Sequence, residues 1–262
     1  MQYPTISEYV KAIQDAGDNL DMSTEATNAE LNEAITDEFG VKYSKDGRKI
    51  LEAPKELDGT YSIRKETKII CDCAFGGCYS LRILVLPDGV TRIGDSAFDD
   101  CSSLNSLVIP DSVTSIGDGA FRGCTSLRSL VIPDSVTSIG DSAFDGCTSL
   151  RSLVIPDSVT SIGDGAFRDC SSLCSLVLPD GVTSIGNWTF SCCSSLRSLV
   201  LPDSVTSIGN SAFEGCSSLS SIVIPNSVTS IGYSAFEGCN FPNDLKQELI
   251  SRFGQKIFGY LW

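Results

Sequence analysis

The sequence predicts a solenoid in which similar coils stack around a parallel β-sheet. The segment "IPDSVTSIGDGAFRGCTSLRSLV" at 109–131 returns almost unchanged at 132–154. A phenylalanine recurs every 23 residues, and a cysteine follows each one three positions later. A fixed period in the twenties is typical of solenoids, because each repeat forms one coil that packs on the next. The two columns are Phe75, Phe98, Phe121, Phe144, Phe167, Phe190, Phe213 and Phe236, and Cys78, Cys101, Cys124, Cys147, Cys170, Cys193, Cys216 and Cys239.

Residues 1–57 precede the repeats and are predicted to form an N-terminal cap of helices and a hairpin. Thr5 and Glu8 have the spacing of a capping box, which opens a helix. The apolar face of that helix would carry Ile6, Tyr9, Val10 and Ile13. An array of repeats needs such a cap because its first coil would otherwise expose apolar surface.

The second half of this cap has its own start and stop signals. Thr27 and Glu30 form another capping box, and Gly40 would end the helix that they open. Its predicted apolar positions are Leu31, Ile35 and Phe39. The segment "VKYSKDGRKIL" is then expected to be a hairpin that turns at Asp46-Gly47.

Residues 58–240 are predicted to be an array of about eight coils. Leu130 and Ile132 should face inwards and Val131 outwards, because side chains alternate along a strand. Pro133 should end the strand. The interior would be completed by Val136, Ile139, Ala143 and Phe144, with Cys147 at the closing corner. The first coil is degenerate, with Tyr61 and Ile63 in the places of Leu84 and Leu86.

Two further residues of the coil are predicted to lie in turns. Gly140 is expected to allow a turn that other residues resist. Asp141 is expected to act as the N-cap of the short helical turn that follows it.

Residues 241–262 are predicted to form a C-terminal helical cap. The segment "NDLKQELISRFG" places Leu245, Leu249 and Phe253 on one face of a helix. An apolar tail follows, with Ile257, Phe258, Tyr260 and Trp262.

Composition excludes several classes of function. The chain has 33 Asp and Glu against 19 Lys and Arg, a net charge of −14, which argues against nucleic acid as a partner. No apolar run reaches the length of about 18 residues that a membrane span needs. There is no histidine, so the commonest general base and the histidine-containing zinc sites are missing. No phosphate-binding glycine loop is found. We therefore expect no enzymatic activity, no catalytic residues, no cofactor and no metal.

The start of the chain, "MQYPTISEYVKAIQDAGDNL", has no basic segment followed by an apolar one, so it does not resemble a signal peptide. Read as it stands, the chain is expected to be cytoplasmic. If a signal was removed, it would be secreted or at the cell surface.

The sequence of the repeat unit resembles that of a known protein family. The unit CxxLxxLxLPxxVxxIGxxAF, from about Tyr61 to Cys239, resembles the BspA-like leucine-rich repeats of bacterial surface antigens. The segments "DGRKILEAPKELDGTYSI" and "ELISRFGQKIF" are similar to pieces that flank the repeats in that family. The resemblance implies a leucine-rich-repeat solenoid, with a parallel sheet on the concave face and turns or short helical turns on the convex face. It also implies protein or matrix binding and cell adhesion without catalysis.

The cysteine column permits three interpretations. In the first, each cysteine is a small buried group at a tight corner that bonds weakly to nearby backbone. In the second, neighbours one coil apart are oxidised, although parallel side chains have unsuitable geometry for a disulfide. In the third, "CDCAFGGC" binds zinc, although its spacing is a weak match. Cys71, Cys73, Cys174 and Cys192 lie outside the column.

Aspartates form two further columns. They follow either the prolines or the glycines of the coils, and turn and helix capping explains them, with Ca²⁺ binding as the alternative. Asn187, Asn210 and Asn226 interrupt the columns, as capping permits. The first column is Asp88, Asp111, Asp134, Asp157, Asp180 and Asp203, and the second is Asp95, Asp118, Asp141 and Asp164.

The outward residues of the strands are the candidate binding site. Exposed valine is common in sheets, but stacked valines make a contiguous apolar strip, and such strips tend to be contact surfaces. A serine column runs beside it, and arginines recur at its edge. The candidate residues are Val85, Val108, Val131, Val154, Val177, Val200 and Val223, with Arg82, Arg128, Arg151 and Arg197.

These observations favour a monomeric, non-enzymatic interaction or adhesion scaffold. Its partner would be an extended protein or matrix-like ligand lying on the concave sheet, and the arginines favour an acidic one. The alternative is a structural spacer or self-assembling element without a dedicated ligand.

Overall fold

The computed structural model describes residues 22–259 as a continuous solenoid of about eight coils. The helix predicted at Thr5 lies outside the described residues, as do Tyr260 and Trp262 of the apolar tail. In the part of the chain that the structure describes, no helix is long and apolar enough to cross a membrane.

The capping box at Thr27 is confirmed, but its helix is shorter than the sequence predicts. The Glu30 backbone N–H donates to the Thr27 hydroxyl at 3.2 Å, and the Glu30 carboxylate accepts the Thr27 N–H at 2.9 Å. The helix, α1, spans Asn28–Asn32. The prediction that it runs to Gly40 is wrong, because strand β1 (Ile35–Thr36) follows it. The Asp37 carboxylate then accepts the backbone N–H groups of Phe39 and Val41, each at 2.9 Å, which favours a turn over continued helix.

The hairpin at Asp46-Gly47 is confirmed. Strand β2 (Lys42–Tyr43) pairs antiparallel with β1 and with β3 (Lys49–Glu52). Gly47 has a φ of 74°, a left-handed conformation that suits glycine in this turn. The outer edge of β3 pairs with the first strand of the coils, so the hairpin continues one of the sheets of the array.

Each coil contributes a strand to a sheet that we call the valine sheet. Its pairings are parallel and join equivalent residues, as in Ser129 with Ser152 and Val131 with Val154, apart from a register shift at Gly59. Two interruptions divide its strands into three hydrogen-bonded groups. Its strands are β4 (Gly59–Ser62), β6 (Leu81–Val85), β8 (Ser106–Val108), β10 (Ser129–Val131), β12 (Ser152–Val154), β14 (Ser175–Val177), β16 (Ser198–Val200) and β18 (Ser221–Val223).

A second sheet, the short-strand sheet, runs along another side of the coils. The sequence pattern did not predict this second sheet. Its two-residue strands also pair in parallel from one coil to the next, except between the strands that begin at Ser161 and Ser184. They are β5 (Ile69–Ile70), β7 (Arg92–Ile93), β9 (Ser115–Ile116), β11 (Ser138–Ile139), β13 (Ser161–Ile162), β15 (Ser184–Ile185), β17 (Ser207–Ile208) and β19 (Ser230–Ile231).

The third side of the coil is a run of turns that is also hydrogen-bonded between coils. The Phe121 N–H donates to the carbonyl of Ala143, one coil ahead, at 2.8 Å, and Phe144 does the same to Ala166. Backbone hydrogen bonds thus join the coils on all three sides, which satisfies main-chain groups that a lone coil would leave open.

The interior is filled as the sequence predicts. Leu130 and Ile132 are buried while Val131 between them is 77% exposed, and Val136, Phe144 and the other interior positions of this coil are buried. The phenylalanine rings stack face to face along the solenoid, with centroids 5.1 to 5.6 Å apart.

Gly140 is required for a different reason from the one expected. It does not have the positive φ of a special turn. A Cβ there would lie 2.6 Å from the backbone nitrogen of Asp118, so glycine permits the close approach of consecutive coils.

The C-terminal cap is confirmed in its helix and buried face. Helix α2 spans Asn243–Phe253 and buries Leu249 against the last coil. A 3₁₀ turn, Gln255–Phe258, follows and buries Ile257. The Phe236 N–H donates to the Ile257 carbonyl at 2.8 Å, as the other phenylalanines of the column do to the alanine, or in one case Thr189, of the next coil. The tail therefore takes the place of a ninth coil.

Candidate partner-binding surface

The predicted valine column lies on the outside of the valine sheet. The three-residue strands place serine outside, leucine or isoleucine inside and valine outside. The seven valines are 49% to 77% exposed, with Val85 the least and Val131 the most. Because equivalent residues stack from one coil to the next, these side chains form an apolar strip beside the serine column. We call this surface the valine face.

The four predicted arginines line one edge of the valine face, and all are exposed. Among the described residues, none of the four forms an ion pair. Arg122 and Arg168, on the run of turns, instead contact Asp99 and Asp145 of the preceding coils at 2.5 and 2.6 Å. On the turns, charges of opposite sign in neighbouring coils are thus paired. The arginines at the edge of the valine face carry charge that nothing described neutralises.

The opposite edge of the valine face is acidic. The aspartates that follow the prolines are exposed, as at Asp134 and Asp157. The charge therefore changes across the strip, from positive at the arginine edge to negative at the aspartate edge. An elongated ligand lying on the valines would meet cations along one flank only.

Two clefts open in the valine face where pairing between strands is interrupted. β8 and β10 belong to different hydrogen-bonded sheets, as do β14 and β16. The first cleft has a volume of about 250 Å³ and is lined by Ser106, Val108, Ser129 and Val131 among others. The second has a volume of about 370 Å³ and is lined by Ser175, Val177, Ser198 and Val200 among others.

Sequence reasoning missed these clefts. The arginine column is broken by Asn105 and Cys174, and these residues precede β8 and β14, the strands that lose their next neighbour. Asn105 lines the first cleft and Cys174 the second. The loss of arginine at a column position was the available signal.

The cysteine column is structural, as the first interpretation held. The structure shows the twelve cysteines of the chain as thiols that are not joined by disulfides. The Cys147 thiol donates to the Phe121 carbonyl of the preceding coil at 3.2 Å, and the contact recurs along the column. Burial raises the pKa of these thiols, to about 11 for Cys78 and about 12 for Cys216. Within residues 22–259 no three potential metal ligands come together.

The aspartates after the glycines bond differently from the prediction. Asp141 was expected to cap its own turn, but its Oδ1 accepts the backbone N–H of Asp164 in the next coil at 2.8 Å. Asn187 and Asn210 continue the series with their amide oxygens. The coils stack so that a backbone N–H of the next coil lies within hydrogen-bond distance of this carboxylate.

Comparison with known proteins agrees with this architecture. The family model described as "BspA type Leucine rich repeat region" matches residues 59–170 and 137–261 in six copies. A leucine-rich repeat protein from Bacteroides ovatus is similar at 33% identity and a TM-score of 0.70, over 80% of this chain and 56% of that one. The chain thus spans little more than half of that relative's length. The search of curated proteins gave no match.

Two more solved structures share the fold. A leucine-rich repeat protein of T. pallidum is 30% identical with a TM-score of 0.53, over 90% of this chain and 96% of that one. A leucine rich cell surface protein of Faecalibacterium prausnitzii is 32% identical with a TM-score of 0.51, over 77% and 64%.

Proposed function

Since the chain belongs to the BspA-type leucine-rich-repeat family, whose repeats generally serve as protein-interaction scaffolds, we propose that its valine face binds an extended acidic polypeptide. The observation that carries this is an arginine edge, without ion pairs among residues 22–259, beside an exposed apolar strip in a chain of net charge −14. Apolar contact supplies affinity, and the edge charges select the partner and steer its approach.

The apolar strip favours a polypeptide over an acidic polysaccharide. Seven exposed valines gain little from a ligand without apolar side chains. A polypeptide supplies both apolar groups and carboxylates. The uniform coils favour an extended ligand over a globular one, because the surface changes little from one coil to the next.

The setting that we propose is adhesion at a cell surface. One solved relative is described as a cell surface protein, and a repetitive face of this kind suits repeated contacts to an elongated ligand. An array with no ligand remains the alternative, as a spacer or self-assembling element. Light scattering against concentration distinguishes self-assembly from the monomer that we expect.

The test is selection of a displayed random peptide library on the immobilised full-length protein. We expect the enriched peptides to be rich in Asp, Glu and apolar residues. They should lose at least about tenfold in affinity for the double variant Val131→Glu, Val154→Glu, because both side chains are exposed and the new carboxylates repel the ligand. Arg128→Glu with Arg151→Glu should mainly slow association and flatten its dependence on salt.

The matched control is Thr137→Glu with Thr160→Glu. These threonines are exposed on the other side of the same region of the solenoid, beside the short-strand sheet. Enriched peptides should bind this variant as they bind the unchanged protein. Equal binding to the valine variant, or loss confined to the threonine variant, would exclude the valine face. Binding of heparin in place of every peptide would instead identify an acidic glycan ligand.

A further inference from the structure

The two clefts carry information about the sequence of the partner. The backbone N–H groups of Asn105, Arg151, Cys174 and Ser220 donate to the equivalent carbonyl of the preceding coil at 3.0 to 3.2 Å. Among the described residues, Arg128 and Arg197 make no such bond. The strands therefore part at these two places, while β10, β12 and β14 between them stay paired.

The spacing of the clefts matches an extended chain. The centres of the two interruptions are three coils apart, about 14 Å at roughly 4.8 Å per strand. An extended polypeptide advances about 3.3 to 3.4 Å per residue, so four residues cover about the same distance. Because side chains alternate sides, residues i and i+4 face the same surface. Residues two or six apart also share a face, but they reach about 7 or 20 Å and miss one cleft.

The part of the sheet between the two clefts has positively charged side chains at its edge. The midpoint falls over β12, whose strand follows Arg151, and Arg128 lies one coil before it. Neither arginine has an ion-pair partner among the described residues. Residue i+2 of a bound chain faces this closed part of the sheet, above Ser152. A carboxylate there reaches the serine hydroxyl and the Arg151 guanidinium, both of which donate hydrogen bonds to it.

We infer that the partner segment has the pattern apolar-x-acidic-x-apolar, with one apolar side chain seated in each cleft and the acidic residue opposite Arg151. This inference rests on the proposed function and specifies the ligand of the same face. The cleft between β14 and β16 is the larger, so it takes the larger apolar side chain.

The test uses fluorescein-labelled synthetic peptides of one composition, each with two phenylalanines in an acidic and glycine background. The phenylalanines are two, four or six residues apart. Fluorescence anisotropy with the full-length protein should show at least about tenfold tighter binding for the four-residue spacing. Replacing the central Glu by Gln should weaken that peptide, and Arg151→Gln should remove the difference between the two.

Cleft-blocking variants supply the second arm. Ser129→Tyr and Ser198→Tyr each place a ring in one cleft, and each should abolish the preference for the four-residue spacing. Ser221→Tyr is the matched control, since Ser221 is exposed in the same serine column on strand β18, which is paired with β16. Thermal melting should show all three variants folded, because the substituted side chains point to solvent.

Equal affinity across the spacing series, or binding that ignores both cleft variants, would overturn the inference. The proposed function would survive either result, provided that library peptides still depend on Val131 and Val154. Failure of every synthetic peptide to bind at millimolar concentration would also overturn it. Library peptides that bind the valine variant normally would instead remove the proposed function itself.

Discussion

At the scale of single residues, the repeated cysteine is a hydrogen-bond donor inside the core. Each thiol of the column donates to a carbonyl of the preceding coil or, for Cys78, to the Pro54 carbonyl of the cap, at 3.1 to 3.4 Å. A thiol fits there because it is small, weakly polar and tolerant of burial. Burial also raises its pKa, so the reactive thiolate form is scarce at neutral pH. The buried thiols of the column are therefore expected to react slowly at neutral pH.

We predict that the twelve cysteines are free thiols with two classes of reactivity. Thiol titration of the denatured, unreduced protein should detect nearly all twelve. In the native protein only the exposed Cys73, Cys174 and Cys192 should react rapidly, since the other nine are buried. Detection of fewer than about half of the thiols after denaturation would show that disulfides form, and would indicate an oxidising compartment.

At the scale of the element, the aspartates after the glycines connect coils rather than cap turns. The Oδ1 atoms of Asp95, Asp118, Asp141 and Asp164 each accept the backbone N–H of the equivalent residue one coil later, at 2.7 to 2.9 Å. Asparagine supplies the same acceptor oxygen, which is why Asn187 and Asn210 are tolerated in the series.

Asp141→Ala should therefore lower the free energy of unfolding by about 1 kcal/mol, because it leaves the Asp164 N–H without its acceptor. Asp141→Asn should stay within about 0.5 kcal/mol of the unchanged protein. Guanidinium denaturation followed by circular dichroism measures both.

The control for this prediction is Asp134→Ala. Asp134 is exposed in the proline-linked column, where its carboxylate has no hydrogen bond among the described residues. It should change stability little. If Asp134→Ala costs as much as Asp141→Ala, the connection between coils is not the stabilising feature. Because Asp118 and Asp141 form these bonds between coils, substitution of either residue should change stability as well as surface charge.

The alternation of Leu130, Val131 and Ile132 could be predicted from the sequence, because a strand of three residues still shows its period and the repeat confirms it eight times over. The short-strand sheet could not. Ser138–Ile139 has one inward residue and no alternation to detect. The clefts were missed for a related reason, since pairing depends on small displacements between coils whose sequences are almost the same. The extent of α1 was missed because Asp37 competes locally for the backbone.

At the scale of the whole molecule, the ends differ from the middle. The hairpin covers the first coil through the pairing of β3 with β5 and the Ala53 N–H bond to Ala74 at 2.7 Å. The ring of Phe39 packs edge-on against Tyr61, which contacts Phe75. The phenylalanine stack is thus closed at one end by this cap and at the other by Phe241 and Phe258.

Deletion of residues 1–57 should make the array associate. It would uncover the edge of β5 and the ring of Phe75, and an open parallel edge invites pairing with another chain. Light scattering should show a mass that rises with concentration, and the melting temperature should fall. A truncated protein that stays monomeric and melts like the full-length chain would contradict the capping role of this region.

The parallel phenylalanine rings have a consequence for how such a chain changes over generations. Every interior coil presents nearly the same surface to its neighbours, so one interior coil can pack on another without new contacts between them. Unequal recombination between the near-identical coding repeats would add or remove whole units of 23 residues and still yield foldable products between fixed ends. The length of the array can then vary between related chains while the architecture stays intact. The number of grooves and charges on its surface, and the distances between them, vary with that length.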